Sequence, residues 1–153
     1  MKGTTMLRLK KNRKNERGST LVEFAIGVTV FATAMLAVLE FGRVLWVHNA
    51  LTDAARRGAR YAVLHSQSDS AAVKNVVVYG DASGGGNPML ENLTTEKVNV
   101  VYDNFGLNDG TVTVSIDEYQ FQFVIPIVGT TITMPSYSTT LTGECAGFIP
   151  GPV

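Results

Sequence analysis

Residues 21–39 read LVEFAIGVTVFATAMLAVL, nineteen residues in which Glu23 is the sole charge. At 1.5 Å per residue such a run makes a helix about 28 Å long, close to the hydrocarbon thickness of a bilayer, so it can span once. No proline stands between Leu21 and Ser66, and helix-forming residues at helical spacing continue through EFGRVLWVHNALTDAARRGARYAVLHS. The simplest expectation is one helix of about 45 residues, about 68 Å long, which is too long to lie wholly in a bilayer. Its second half must therefore project into water or onto a domain. Gly27, Gly42 and Gly58 are candidate bends. Glu40 and Arg43 fall at i and i+3, and Asp53 stands three and four residues before Arg56 and Arg57, so opposite charges can meet on one helix face.

Two rows of small residues follow the same period. Ala50, Ala54, Gly58 and Ala62 recur every four residues in the second half. They either let another element, most naturally a downstream β-sheet, approach the helix axis, or simply reflect alanine's helix propensity. Ala25, Thr29, Thr33 and Ala37 form a similar ridge in the first half, which in lipid favours helix–helix contact.

The formal net charge of zero conceals a division. Residues 1–17 hold seven of the thirteen Lys and Arg against Glu16 alone, a local charge of +6, which leaves −6 on the rest. A basic head before an apolar run reads as an export or topology signal, and only rarely as a nucleic-acid arm. Residues 1–18 lack apolar periodicity and are expected to be disordered until cut or bound.

After SQSDS the periodicity changes. VKNVVVY (73–79) is a predicted strand, and GDASGGGNP (80–88) a flexible loop without the Lys and Ser/Thr ending of a phosphate loop. KVNVVYD and TVTVSID are short β-branched runs joined by NFGLNDG, where Asp109-Gly110 favours a turn. YQFQFVIPI alternates Tyr119, Phe121, Phe123 and Ile125 against Gln120, Gln122 and Val124, a strand with one aromatic face, and Pro126 suggests an edge or a strand end. TTITM and SYSTTLTGE are two further strands, and GFIPGPV is a loose tail. The fold class is therefore α+β, a long N-terminal hydrophobic helix followed by a small, mainly antiparallel sheet of four to six strands packed on the helix's C-terminal half.

Residues for catalysis are sparse. A single cysteine, Cys145, excludes an internal disulfide and any multi-cysteine metal site, leaving an intermolecular bridge or an unpaired thiol. His48 and His65 lie seventeen residues apart with no acid at an offset that would orient them, so neither a zinc centre nor a nucleophile–base pair is expected. DNFGLNDG places Phe105 and Leu107 where a calcium loop needs oxygen ligands. No cofactor and no enzymatic activity are expected. Glu23 is different because its location is costly: a charge at the centre of a spanning helix costs about 2.5–3.5 kcal/mol on insertion scales, and such acids usually have a partner. Near the basic end it could instead snorkel to the headgroups as an interfacial acid without a role.

A basic leader, Gly18, and a Glu at the fifth position after it resemble the signal of type IV prepilins, in which a prepilin peptidase cuts after the Gly. The segment GSTLVEFAIGVTVFATAMLAVLEFGRVLWVHNALTDAARRGARYAVLHS also resembles the TadE-like proteins, minor pilins or pseudopilins of tight-adherence (Flp) pili, through VEFA, EFGR, Trp46 and ALTDAARRGARYAV. The resemblance covers residues 18–65, and the β-rich remainder is similar only loosely. It implies a cut between Gly18 and Ser19 and an assembly role for Glu23. It also implies other pilin and pseudopilin subunits, the peptidase, the assembly platform and the membrane as partners, with no nucleic acid. The implied divisions are a leader (1–18), a transmembrane and assembly segment (19–40), a helix continuation (41–65) and a C-terminal β-rich domain (66–153).

The chemistry agrees with this implication. Cutting would create an α-amino group whose reference pKa of about 7.7–8.0 leaves it largely protonated at neutral pH. Ser19 and Glu23 are separated by about 6 Å of helix rise, so a subunit shifted along the axis could bring its terminus to that carboxylate. In lipid or a dry filament core this pair would be worth more than a surface ion pair. The basic head places the N-terminus in the cytoplasm and residues from about 41 onward outside, with Arg43, Arg56, Arg57 and Arg60 weakening the bias. Two other readings exist. One is a secreted domain cut by signal peptidase at ATA (32–34), starting near Met35; the other is an uncut single-span enzyme or binding domain.

Overall fold

The computed structural model describes residues 16–104, 110–124 and 131–143. The chain divides into two units, Met1–Leu39 and Glu40–Val153. Helix α1 runs from Glu16 to Leu64 and contributes to both. Short 3₁₀ turns at Gln67–Asp69 and Thr95–Lys97 flank α2 (Ser70–Tyr79) and lead into five strands: β1 (Val98–Asp103), β2 (Thr111–Ile116), β3 (Gln120–Gln122), β4 (Thr131–Thr133) and β5 (Tyr137–Thr142). The long helix and the α+β class are as the periodicity predicts.

In the first unit, every residue from Gly18 to Leu39 is exposed. The helix is long and apolar enough to cross a membrane once. Its polar ridge residues are satisfied internally. Thr29 Oγ1 donates to the Ala25 carbonyl at 2.8 Å, and Thr33 Oγ1 to the Thr29 carbonyl at 2.9 Å. A hydroxyl bonded to the preceding turn needs no water, so the ridge is compatible with hydrocarbon.

The second unit is built on two antiparallel sheets, β1-β2-β5 and β3-β4. β2 is central, pairing Val114 with Val100 of β1 and with Thr139 of β5. Its alternation sends Val112, Val114 and Ile116 inward, each fully buried, as one buried face of an antiparallel strand requires. They meet Val47, Leu51, Ala54, Ala55, Ala59 and Ala62 of α1 in a core that also takes Val73 and Val77 of α2. The aromatic face predicted for YQFQF is present: Tyr119 and Phe121 are buried, while Gln120 and Gln122 are exposed. Strand β3 ends at Gln122, shorter than the pattern suggests.

One expectation is overturned. VKNVVVY is not a strand but the body of α2, and its valines are buried at 73, 76, 77 and 78. Three β-branched residues in a row favour a strand; here burial at i, i+3 and i+4 prevails over that local preference. Gly80 ends the helix in the left-handed region (φ 78°), its N–H returning to the Val76 carbonyl at 3.0 Å.

The small-residue row of α1 is explained by close approach, and the neighbour is α2 as well as the sheet. A Cβ at Gly58 would lie 2.3 Å from Val77 Cγ2 and 3.2 Å from Val114 Cγ1. Only a residue without a side chain fits between them. The basic head before Glu16, the turn at Asp109, the Pro126 segment, Cys145 and the tail GFIPGPV lie outside the described residues.

Candidate assembly site

Gly18, Ser19, Val22, Glu23 and Ile26 line one shallow depression on the surface of α1. Ser19 and Glu23 are i and i+4, so the helix stacks them on one face. Glu23 is exposed and forms no hydrogen bond or ion pair with another described residue, so its carboxylate is open to a partner from outside the chain. A Cβ at Gly18 would meet nothing within 4 Å. No crowding within the chain therefore accounts for glycine there.

The remaining charged residues singled out in the sequence lie in the second unit. Glu40 is far from a surface ion-pair residue: it is only 8% exposed. Its Oε2 accepts from Arg43 Nη1 at 2.8 Å, and its Oε1 accepts the backbone N–H of Val124 at 3.0 Å. The Arg43 guanidinium lies 5.2 Å from the centroid of the Phe121 ring, which stands edge-on to Phe123. A carboxylate, a guanidinium and an aromatic ring thus tie the first turn of this unit to the end of β3, each charge facing a partner as burial demands.

Asp53 pairs with Arg57 at 2.8 Å, and Arg57 Nη2 also reaches Met89 Sδ at 3.2 Å. Arg56 is exposed and is not brought to Asp53, so only one of the two expected pairings forms. His48 Nδ1 and the Tyr137 hydroxyl are 2.8 Å apart, a hydrogen bond whose direction follows the imidazole tautomer. Tyr119 donates to the Glu91 carbonyl at 2.7 Å. Burial raises the Tyr119 phenol above its ordinary pKa, with Glu91 adding to the rise and Arg43 opposing it.

The sequence did not single out Val124, Phe121 or Tyr137 as partners of the helix charges. A signal for Glu40 was nonetheless available. It precedes Val44, Val47 and Leu51 by four, seven and eleven residues, the spacing of the core-facing stripe.

These features define a protein with, among the described residues, one membrane-capable helix, exposed and apolar at first, whose later turns form the spine of a small α+β domain. The family described as TadE-like protein matches residues 18–60, so this stretch of helix α1 is similar to that family. Neither a curated protein nor a solved structure matches the chain.

Proposed function

We propose that the chain is a minor pilin or pseudopilin that takes part in assembling a tight-adherence type IV pilus, after a prepilin peptidase cuts it between Gly18 and Ser19. One observation carries this reading: Ser19 and Glu23 share an exposed helix face at the start of an apolar segment that no described residue covers. The new ammonium at Ser19 would neutralise Glu23 of a neighbouring subunit and so set the stagger between them. In a low-dielectric surround that pairing is favoured strongly over two unpaired charges. Glycine also suits the cut, because its low helix propensity eases local unwinding of the first turn.

The role is structural, not catalytic. The N-terminus is cytoplasmic, and the second unit lies in the periplasm or outside the cell. Its partners are other pilin and pseudopilin subunits, the peptidase and the assembly platform.

N-terminal sequencing of the membrane-associated protein tests the proposal. A chain that starts at Ser19 supports it. A start near Met35 indicates a secreted domain with a cleaved signal peptide, and an intact Met1 indicates an uncut anchor; either overturns it.

A further inference from the structure

The first two turns of the second unit carry three large exposed apolar side chains, Phe41 (64%), Leu45 (46%) and Trp46 (63%). The next turns of that outward helix face change character: Asn49, Asp53, Arg56 and Arg60 are all exposed. The change falls between Trp46 and Asn49, while the opposite face of the same turns is buried in the core. At this end of the unit stands a further exposed apolar residue among those described, Val124 (74%), held there by its N–H bond to Glu40.

We propose that Phe41, Leu45, Trp46 and Val124 form a collar that seats the second unit in the headgroup layer of the membrane. The proposal rests on the reading of residues 21–39 as a membrane span, and it goes beyond it by assigning a lipid-binding surface to the folded domain. Chain order supplies the occupant: Phe41, Leu45 and Trp46 follow directly on the apolar run, so the layer that receives the run's end receives them next, and Val124 is brought there by its bond to Glu40. Glu40 and Trp46 are separated by about 9 Å of helix rise. The polar layer on one side of a bilayer is comparable, about 5–8 Å. Tryptophan favours this layer because its ring is amphipathic. The collar also accounts for the covered state of Glu40: a carboxylate at the hydrocarbon boundary needs partners from its own chain, and Arg43 and Val124 provide them. Arg56 and Arg60 follow about 24 and 30 Å of helix rise beyond Glu40, in water clear of the headgroup layer.

Trp46 is the sole tryptophan of the chain, so the protein reports on its own collar. The full chain is reconstituted in phosphatidylcholine–phosphatidylglycerol vesicles containing lipids brominated either high on the acyl chain or near its end. The expected result is strong loss of Trp46 emission with the high bromines and little with the deep ones. Alkaline extraction of the same vesicles reports spanning separately. Trp46 emission that ignores both bromines and is quenched by aqueous iodide, in protein that resists extraction, overturns the collar and leaves the span intact. Emission shielded from both bromines and iodide, with the shielding lost on dilution into excess lipid, also overturns it and assigns the patch to protein–protein contact. Protein that is extracted removes the span and the collar together.

Discussion

The backbone N–H of Val124 donates to Glu40 Oε1 at 3.0 Å, joining residues 84 positions apart. The same carboxylate holds Arg43 through its other oxygen. Glu40→Ala would remove the charged acceptor of the part-buried Val124 N–H and free the arginine over Phe121. The expected cost is about 1–3 kcal/mol. Glu40→Gln retains a carbonyl oxygen for Val124 and should lose less. Chemical denaturation of the detergent-solubilised protein, followed by circular dichroism, compares the two.

Gly58 and Gly42 make a matched pair. Alanine at 42 meets nothing within 4 Å, whereas at 58 its Cβ falls 2.3 Å from Val77 Cγ2. Gly42→Ala should stabilise by up to about 1 kcal/mol through helix propensity. Gly58→Ala gains the same propensity but must displace α2, and overpacking of this kind costs about 1–3 kcal/mol. Melting temperatures of the two variants should move in opposite directions.

Glu23 makes no hydrogen bond or ion pair with another described residue, so Glu23→Ala should insert and be processed as the parent is, yet assemble pili poorly. Electron microscopy for piliation, alongside a gel for processing, separates the two properties. Normal piliation would remove the role proposed for the carboxylate. Gly18→Phe has room on the helix surface and should block the cut alone, seen as retention of the slower-migrating form.

Three phenols set an alkaline limit. Burial raises the pKa of Tyr102, Tyr119 and Tyr137, with Asp69 adding to the rise at Tyr102. Each binds its proton more tightly folded than unfolded. The stability this contributes is complete below the ordinary tyrosine pKa of about 10 and is lost as pH rises through the higher folded values. Melting temperature should therefore fall above that pH, together with the absorbance change of tyrosinate. Tyr119→Phe should lessen the fall while giving up the bond to the Glu91 carbonyl.

The architecture was legible wherever one period ran uninterrupted. The proline-free run from Leu21 predicted α1, and the β-branched run TVTVSID predicted β2, whose buried face is Val112, Val114 and Ile116. Helix α2 was misread because Val76, Val77 and Val78 invite a strand when considered locally, while their burial depends on a core assembled from distant residues. Gly80 was the available signal, since glycine directly after a periodic segment marks a helix end. At the site, the shared face of Ser19 and Glu23 followed from spacing alone. The covering of Glu40 did not, because its partner is a backbone N–H in another element and backbone groups carry no residue-specific signature.

The bond between Glu40 and Val124 also orders events during synthesis. A ribosome delivers Glu40 and Arg43 early and Val124 only after most of the remaining chain, so Oε1 of the carboxylate waits for its backbone partner until the residues just past β3 arrive. Contacts this distant along the chain form slowly. The helix can settle first, and the domain closes around its base only as the last third of the polypeptide emerges.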